Sequence, residues 1–215
     1  MRNGDISYET DKNHPWTFFN DVDCWYKMNI TPSRLKGVFE VKGEIHKDFR
    51  GKLARTFDFR WLQDSGISFN SLQESISYSE KKYTLRGIHV SLPPFSEGKL
   101  IAPISGTVQW MLLDLRKGSS TYKEWISMIL SEDENIGILV PKGFAHGCLS
   151  LTDKCSLLIK SDSYFSADSG TGILWKDPLL DIKWQLDGNN PIISERDSSY
   201  KDFIHFESKY GGVQV

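Results

Sequence analysis

Two residues that avoid burial stand in a run that otherwise favours a β-strand. The segment "TLRGIHV", residues 84–90, carries Arg86 and His89 among apolar and β-branched residues. An arginine binds carboxylates and phosphates, and a histidine is the general base that works near neutral pH. Since the two residues are three apart, simple alternation would place them on opposite faces of a strand. Gly87 between them permits a bulge that would bring both to one face.

Other polar residues recur on the segments around this run. Lys99 lies in "SEGKL", His146 in "PKGFAHG", and Arg196 and Asp197 in "SERD" near the end of the chain. A lone histidine is more often satisfied by a backbone carbonyl than used in chemistry. A pocket that gathers arginine, lysine and two histidines would, however, suit an anionic substrate. The sequence therefore predicts a binding cavity.

Metal binding and nucleophilic catalysis are the rival chemistries, and the sequence lacks the motifs of both. A metal-binding barrel commonly has two histidines two places apart on one strand, but Ser91 occupies that place after His89. No GxSxG motif surrounds a serine, and Cys148 has no partner motif. We therefore expect no catalytic metal.

The composition is that of an ordinary folded protein. The 215 residues suit one domain with a sizeable core, since 39% are hydrophobic and 25% are charged. The formal net charge of -2 gives no overall attraction to nucleic acid or to an anionic membrane. No apolar run could cross a bilayer, and residues 1–16 lack the apolar centre of a signal peptide. With three cysteines in no metal-binding spacing, we expect a cytoplasmic protein with reduced thiols.

Short strands separated by turn residues dominate the chain after residue 36. The predicted strands span residues 71–79, 83–92, 99–105, 106–116, 124–130, 135–141, 146–152 and 154–161. This pattern predicts an all-β protein, an antiparallel sandwich or barrel of the jelly-roll kind. One helix is predicted over 53–66, "LARTFDFRWLQDSG", ended by Gly66. Residues 1–33 have no clean period, and we expect an extension that packs on the main domain, 34–215, or on a partner subunit.

Seven motifs, in order and with compatible spacing, resemble the dTDP-4-dehydrorhamnose 3,5-epimerase family. They are "DFRG" (48–51), "LRGIH" (85–89), "GKL" (98–100), "LDLRKGSSTYKEW" (113–125), "PKGFAHG" (141–147), "GILWKDPLLDIKW" (172–184) and "PIISERD" (191–197). The resemblance runs from about residue 36 to about residue 205. It implies a cupin-like jelly-roll barrel with a few short helices, working as a homodimer without metal or organic cofactor. The implied substrate is a nucleotide-linked 4-keto-6-deoxy sugar, in the biosynthesis of a deoxysugar for surface polysaccharide or a glycosylated metabolite.

The resemblance also implies catalytic roles. His89 would remove the proton next to the C4 ketone, and Asp197 would orient it. Lys99 would stabilise the enolate oxygen. The chemistry agrees with these roles, because such a proton is only weakly acidic and its removal needs both a base and a cation beside the developing oxyanion.

Further positions would bind substrate. Arg86 would hold the diphosphate, His146 would line the sugar pocket, and Arg50 would reach the active site of the neighbouring subunit. The complete substrate-binding set is Arg86, His146, Arg50, Gln73, Ser75, Arg196 and Ile159.

The strand "LLIKSDSYFSAD" departs from the family on the acid side of the reaction. Ile159 stands where the family has the tyrosine that protonates the opposite face, and Phe165 stands at a second tyrosine position. Tyr164 is adjacent, but strand parity turns it to the other side. On the nucleotide side, Arg55 replaces a glutamate and Leu53 an aromatic residue.

Three functions stay open at this point. The first is an epimerase that inverts one or two centres beside a 4-ketone. The second is a related isomerase or epimerase on another keto sugar, GDP- or CDP-linked. The third is a barrel that binds a nucleotide sugar without turnover. The sequence determines neither the sugar, the nucleotide nor the pathway.

Overall fold

Two β-sheets that pack face to face make up most of the protein. The computed structural model describes residues 28–215. One core cluster takes side chains from both sheets, including Ile101, Trp110 and Leu157. The prediction of an all-β protein with a few short helices is confirmed. In the described part of the chain, no helix is long and apolar enough to span a bilayer.

The first sheet has six strands, and each neighbouring pair is antiparallel. In chain order its strands are β1 (Met28–Pro32), β2 (Phe39–Gly43), β5 (Gln73–Ser79), β7 (Lys99–Ser105), β10 (Ile136–Val140) and β12 (Cys155–Ser161). Their order in space is β1-β2-β10-β7-β12-β5. Strand β7 therefore lies inside the sheet, where its lysine is held by neighbours on both sides.

The second sheet provides the opposite wall. Its strands are β6 (Thr84–Ser91), β8 (Thr107–Asp114), β9 (Trp125–Ser131), β11 (Phe144–Ser150), β13 (Gly170–Gly172) and β14 (Ile192–Ile193). Five of them follow the order β13-β6-β11-β8-β9, and β14 pairs in parallel with β6. Strand β8 is apolar on both faces because both are covered: Trp110 packs in the core between the sheets, and Met111 packs in a second cluster on the other side.

The remaining elements are short. A separate hairpin consists of β3 (Ile45–Asp48) and β4 (Gly51–Ala54). The helices are α1 (Phe59–Asp64), α2 (Glu195–Ser198) and α3 (Phe203–Tyr210), and a 3-10 turn spans Ala167–Ser169.

The strands predicted between residues 71 and 161 are all present, but the predicted helix over 53–66 is wrong at its start. Leu53 belongs to β4, where it pairs with His46, so strand pairing overrides the local helical pattern. The helix begins after Asp58, whose side chain accepts a hydrogen bond from the backbone N–H of Arg60. The predicted end holds, because Gly66 follows the helix with a φ of 70°.

The predicted N-terminal extension, residues 1–33, lies largely outside the described residues. Its last part, Met28–Pro32, is β1 and pairs with β2 at the edge of the first sheet. The domain boundary at residue 33 stays a prediction.

A bulge in β6 sets the direction of the residues on either side of it. His89 pairs with His146 and Gly87 pairs with Gly147, so Ile88 is an extra residue on β6. Gly87 has a φ of 113°, and a Cβ there would lie 2.5 Å from the carbonyl oxygen of His146. Only glycine fits such a position. Because of the bulge, Arg86 and His89 both line the same cavity.

Candidate active site

A cavity of about 470 Å³ opens between the two sheets. Of the ten residues predicted to act in catalysis or substrate binding, seven line it: Arg86, His89, Lys99, His146, Ile159, Arg196 and Asp197. His89 and Lys99 stand on opposite sheets, at β6 and β7 respectively. The fold thus brings together residues that are more than 100 positions apart in sequence.

His89 and Asp197 form a hydrogen-bonded pair. The Nε2 atom of His89 lies 2.8 Å from Oδ1 of Asp197, whose side chain is buried at 6% exposure. The second oxygen of Asp197 accepts the backbone N–H of Gly87 at 2.9 Å, and Ser194 caps the start of α2. Since a carboxylate only accepts, the proton lies on Nε2 and the lone pair on Nδ1.

The electrostatics of this pair suit a base at neutral pH. Burial lowers the pKa of His89, and this effect outweighs the opposite influence of Asp197. For Asp197, burial acts to raise the pKa, but hydrogen bonds from Gly87 and His89 make the net shift downward. The pair is therefore a neutral imidazole held by an ionised carboxylate.

Lys99 is held by the carboxylate of Glu97, a residue that was not predicted from the sequence. Its Nζ lies 3.3 Å from Oε2 of Glu97, and Glu97 also accepts a hydrogen bond from Ser91 Oγ at 2.7 Å. The Glu97 side chain is only 6% exposed and lines the cavity. Glu97 lies just before β7, outside the strand, so strand alternation gave no signal for it.

His146 lies beside His89 on the wall of the cavity. Burial lowers the pKa of His146 far below its usual range, and the charges of Lys99 and His89 act in the same direction. Its ring contacts Trp110 edge to face, with 5.9 Å between ring centroids. A neutral imidazole here can exchange hydrogen bonds with a sugar without adding charge.

Two arginines lie toward solvent. Arg86 donates to the backbone oxygen of Tyr78 at 2.6 Å and to Ser79 Oγ at 3.3 Å. The Arg196 side chain is 70% exposed, and its guanidinium lies near both His89 and Asp197. The positive charge of Arg196 also contributes to lowering the pKa of His89. Cations at the outer part of the cavity suit a phosphate group.

Three predicted residues lie outside the cavity of a single chain. Arg50 is at the tip of the β3–β4 hairpin, 76% exposed and paired with Asp48. Gln73 accepts the backbone N–H of Phe165 at 2.6 Å, and Ser75 is exposed on β5. Ser77 on the same face of β5 does line the cavity, so Gln73 and Ser75 continue that face beyond it.

Near the position expected for the family's acid tyrosine, Tyr164 lies outside the cavity lining, as predicted. Ile159 lines the cavity from β12, and Phe165 lines its edge. Tyr164 is 62% exposed and is not among the lining residues. Another phenol does line the cavity, since the ring of Tyr200 meets that of His89 edge to face at 5.8 Å. Tyr200 was not predicted from the sequence, because it follows Asp197 by three residues and reaches the site only through the turn after α2.

Two further groups in this region bear on its chemistry. Burial raises the pKa of Tyr200, so its hydroxyl stays protonated near neutral pH. Burial raises the pKa of the Cys148 thiol to about 12, so this cavity residue is not a thiolate nucleophile. Across residues 28–215, no three His, Cys, Asp or Glu side chains group together as metal ligands would.

The two facing sheets and the histidine–carboxylate pair between them define a cupin-like jelly-roll sugar epimerase. A sequence profile described as dTDP-4-dehydrorhamnose 3,5-epimerase matches residues 32–205. The chain therefore belongs to the dTDP-4-dehydrorhamnose 3,5-epimerase family. The predicted family, fold and enzyme class are confirmed.

Several known epimerases are similar to this chain in both sequence and structure. The dTDP-4-dehydrorhamnose 3,5-epimerase of Methanothermobacter thermautotrophicus is 34% identical over 176 residues, which cover 81% of this chain and 94% of the relative. The Bacillus anthracis enzyme of the same name, solved with TDP and PPi bound, has a TM-score of 0.78 at 33% identity and covers 82% of this chain and 100% of its own. ChmJ, a 3'-monoepimerase from Streptomyces bikiniensis solved with dTDP-quinovose, has a TM-score of 0.78 at 25% identity, with coverage of 86% and 92%.

Proposed function

We propose that the protein epimerises a nucleotide-linked 4-keto-6-deoxy sugar, with His89 as the base. The observation that carries this proposal is the 2.8 Å contact between His89 and the buried carboxylate of Asp197, inside a cavity that Lys99 also lines. A base and a cation on facing walls are what removal of a proton beside a ketone requires.

The reaction follows from this arrangement. The neutral imidazole of His89 takes the proton from C3, and the electrons of the C–H bond move into the C4 carbonyl to give an enolate. Lys99 stabilises the new oxyanion, and Asp197 stabilises the imidazolium. A proton from water then returns to C3 on the opposite face, which inverts the centre. The imidazolium of His89 releases the proton it took to solvent, which restores the base.

The diphosphate of the substrate binds at the outer part of the cavity. Arg86 and Arg196 line this part, and arginine is the side chain best suited to bind phosphate oxygens with two hydrogen bonds. Relatives solved with TDP or with a dTDP-sugar support a nucleotide sugar as the ligand. A cytoplasmic location, expected from the sequence, remains a prediction.

The protein works as a homodimer in which Arg50 completes the neighbouring active site. The tip of the β3–β4 hairpin carries Phe49, which is 97% exposed, and Arg50, which contacts only its neighbours on the hairpin, Asp48 and the ring of Phe49, among the described residues. An exposed aromatic beside a cation on a projecting hairpin suits an interface better than open solvent. Gln73 and Ser75 then form the nucleotide side of the same composite site.

The enzyme inverts predominantly one centre, with C3 favoured over C5. Ile159 lines the cavity where the family's acid tyrosine would stand, and an aliphatic side chain cannot donate a proton. Single-centre inversion has a precedent on this fold, since ChmJ is a 3'-monoepimerase. Water delivers the proton slowly because it is not positioned, so a centre that depends on the tyrosine reacts slowly.

The test is hydrogen exchange from D2O with dTDP-linked 4-keto-6-deoxyglucose, followed by NMR and mass spectrometry of the product. Wild-type protein should incorporate deuterium at C3 well before C5, and Ile159→Tyr should accelerate exchange at C5. Ile159→Val, which adds no acid, is the matched control. Rapid inversion of both centres by the wild type would refute the single-centre assignment. Absence of exchange with dTDP-, GDP- and CDP-linked keto sugars would favour the non-catalytic barrel.

A further inference from the structure

Glu97 is a buried carboxylate inside the active-site cavity that the reaction above does not use. Its side chain is 6% exposed, and both of its contacts, to Ser91 Oγ and to Lys99 Nζ, are made by Oε2. Within residues 28–215, Oε1 accepts no hydrogen bond. Glu97 lines the cavity, and Oε1 is not among the fully buried atoms without a partner, so it is open to a ligand there. A hydrogen bond from a ligand to a charged carboxylate oxygen is among the stronger ones, so a donor at this point gains binding free energy.

We propose that Oε1 of Glu97 accepts a hydrogen bond from the hydroxyl on C3 of the substrate and thereby selects sugars that carry it. This assignment rests on the proposed function, because it uses the position of Lys99 on the C4 oxygen. Lys99 Nζ lies 3.3 Å from the Glu97 carboxylate. A group that shares the carboxylate with Lys99 must therefore lie next to the C4 oxygen, as the C3 hydroxyl does.

The other groups of the sugar fit this position less well. The C4 ketone oxygen can only accept a hydrogen bond, and the methyl group of a 6-deoxy sugar offers neither donor nor acceptor. The anionic diphosphate is repelled by a carboxylate. It binds at Arg86, which lies on the other side of the Gly87 bulge from Ser91 on β6.

The charge of Glu97 also bears on selectivity. A carboxylate accepts a hydrogen bond more strongly than a neutral oxygen does, so the contact discriminates between a hydroxyl and a hydrogen at C3. The same carboxylate holds the ammonium of Lys99 in place. Glu97 therefore has two effects, and an experiment must separate the substrate contact from the positioning of Lys99.

Comparing two substrates on three protein variants separates the substrate contact of Glu97 from its positioning of Lys99. The substrates are dTDP-linked 4-keto-6-deoxyglucose and its 3-deoxy analogue, and the proteins are wild type, Glu97→Ala and Glu97→Gln. Both substrates have exchangeable hydrogen at C3, so deuterium incorporation from D2O gives kcat/KM for each. Glu134→Ala, an exposed glutamate outside the cavity, is the matched control.

Glu97→Ala should lower kcat/KM by roughly 10- to 100-fold on the hydroxylated substrate, the usual effect of losing a hydrogen bond to a charged group. On the 3-deoxy analogue the same substitution should have a clearly smaller effect, and Glu97→Gln should lie between. Equal losses on both substrates would overturn the proposal and leave Glu97 as a residue that only positions Lys99.

Binding of the two nucleotide sugars, measured by calorimetry, provides a second readout that needs no turnover. Glu97→Ala should weaken binding of the hydroxylated sugar more than that of the analogue. If the wild type binds both sugars but exchanges no hydrogen, the proposed function fails while the binding cycle still tests Glu97. Equal weakening for both sugars again overturns the contact.

Discussion

Asp197→Asn should abolish most of the activity while leaving the cavity almost unchanged in shape. One carboxylate oxygen accepts from His89 Nε2 at 2.8 Å, and the other accepts from the Gly87 N–H at 2.9 Å. In asparagine, the carbonyl oxygen must face the N–H of Gly87, because an amide NH2 there would oppose another donor. The NH2 group then faces His89 and donates to Nε2.

The consequence is a change of tautomer in His89. Its proton moves to Nδ1, so the nitrogen that held the lone pair no longer accepts a proton. A positioned general base contributes about 10²–10⁴-fold to the rate. The loss of rate in the variant should lie at the upper end of this range, because the imidazolium also loses its counter-charge. In a serine-protease triad the same substitution costs about 10⁴ in kcat. We therefore expect kcat to fall by on the order of 10³–10⁴, with KM nearly unchanged because Arg86 is intact.

The assay is the rate of deuterium incorporation at C3 under saturating substrate. His89→Asn sets the floor for an enzyme without the base, and circular dichroism checks that both variants fold. If Asp197→Asn kept more than about one tenth of the wild-type kcat, the carboxylate would not control the tautomer of a catalytic base, and the reasoning would be wrong.

Three other outcomes are expected. In steady-state kinetics, Arg86→Ala should chiefly raise KM because Arg86 holds the diphosphate. Lys99→Ala should chiefly lower kcat because Lys99 acts where charge develops in the transition state. If both variants changed only KM, and equally, Lys99 would have no role in the chemical step. Because burial lowers the pKa of His89 from its ordinary value of about 6.5, the acid-side fall of kcat/KM should have its midpoint below pH 6.5. Removing a positive neighbour by Arg196→Ala should move that fall to higher pH, and a pH–rate profile that did not move would contradict the assigned base. Mixing inactive Arg50→Ala and His89→Asn subunits should restore about a quarter of wild-type activity. Random pairing makes half of the dimers mixed, and one of the two sites in each mixed dimer has both His89 and Arg50. No recovery after mixing would exclude a site shared between subunits.

The strands were predictable because their cause is local. Alternating apolar residues between glycine, proline and asparagine turns predict β5 to β12 to within two residues at each end. The start of α1 was not predictable in this way, since Leu53 and Ala54 are drawn into a hairpin by pairing with residues 45–46. That pairing depends on the chain beyond the window in which a helical pattern is read.

The candidate site was predictable where a motif marks it and not where the fold alone creates it. Gly87 permitted the bulge that turns Arg86 and His89 toward one cavity, so this part of the site followed from sequence. Glu97 and Tyr200 reach the cavity through the closure of the barrel and the turn after α2, which no local spacing indicates. Ile159 was named from the family resemblance, and it lines the cavity.

The extra residue in β6 means that the alternation of this strand changes phase once along its length. Before Gly87, even-numbered positions such as Arg86 face the cavity; after Ile88, odd-numbered positions such as His89 do. A perfectly regular strand could present a phosphate-binding arginine or a basic histidine at this spacing, but not both on one side. A barrel built with ideal strands would therefore need the irregularity, and the glycine that permits it, before this pair of residues could be transplanted into it.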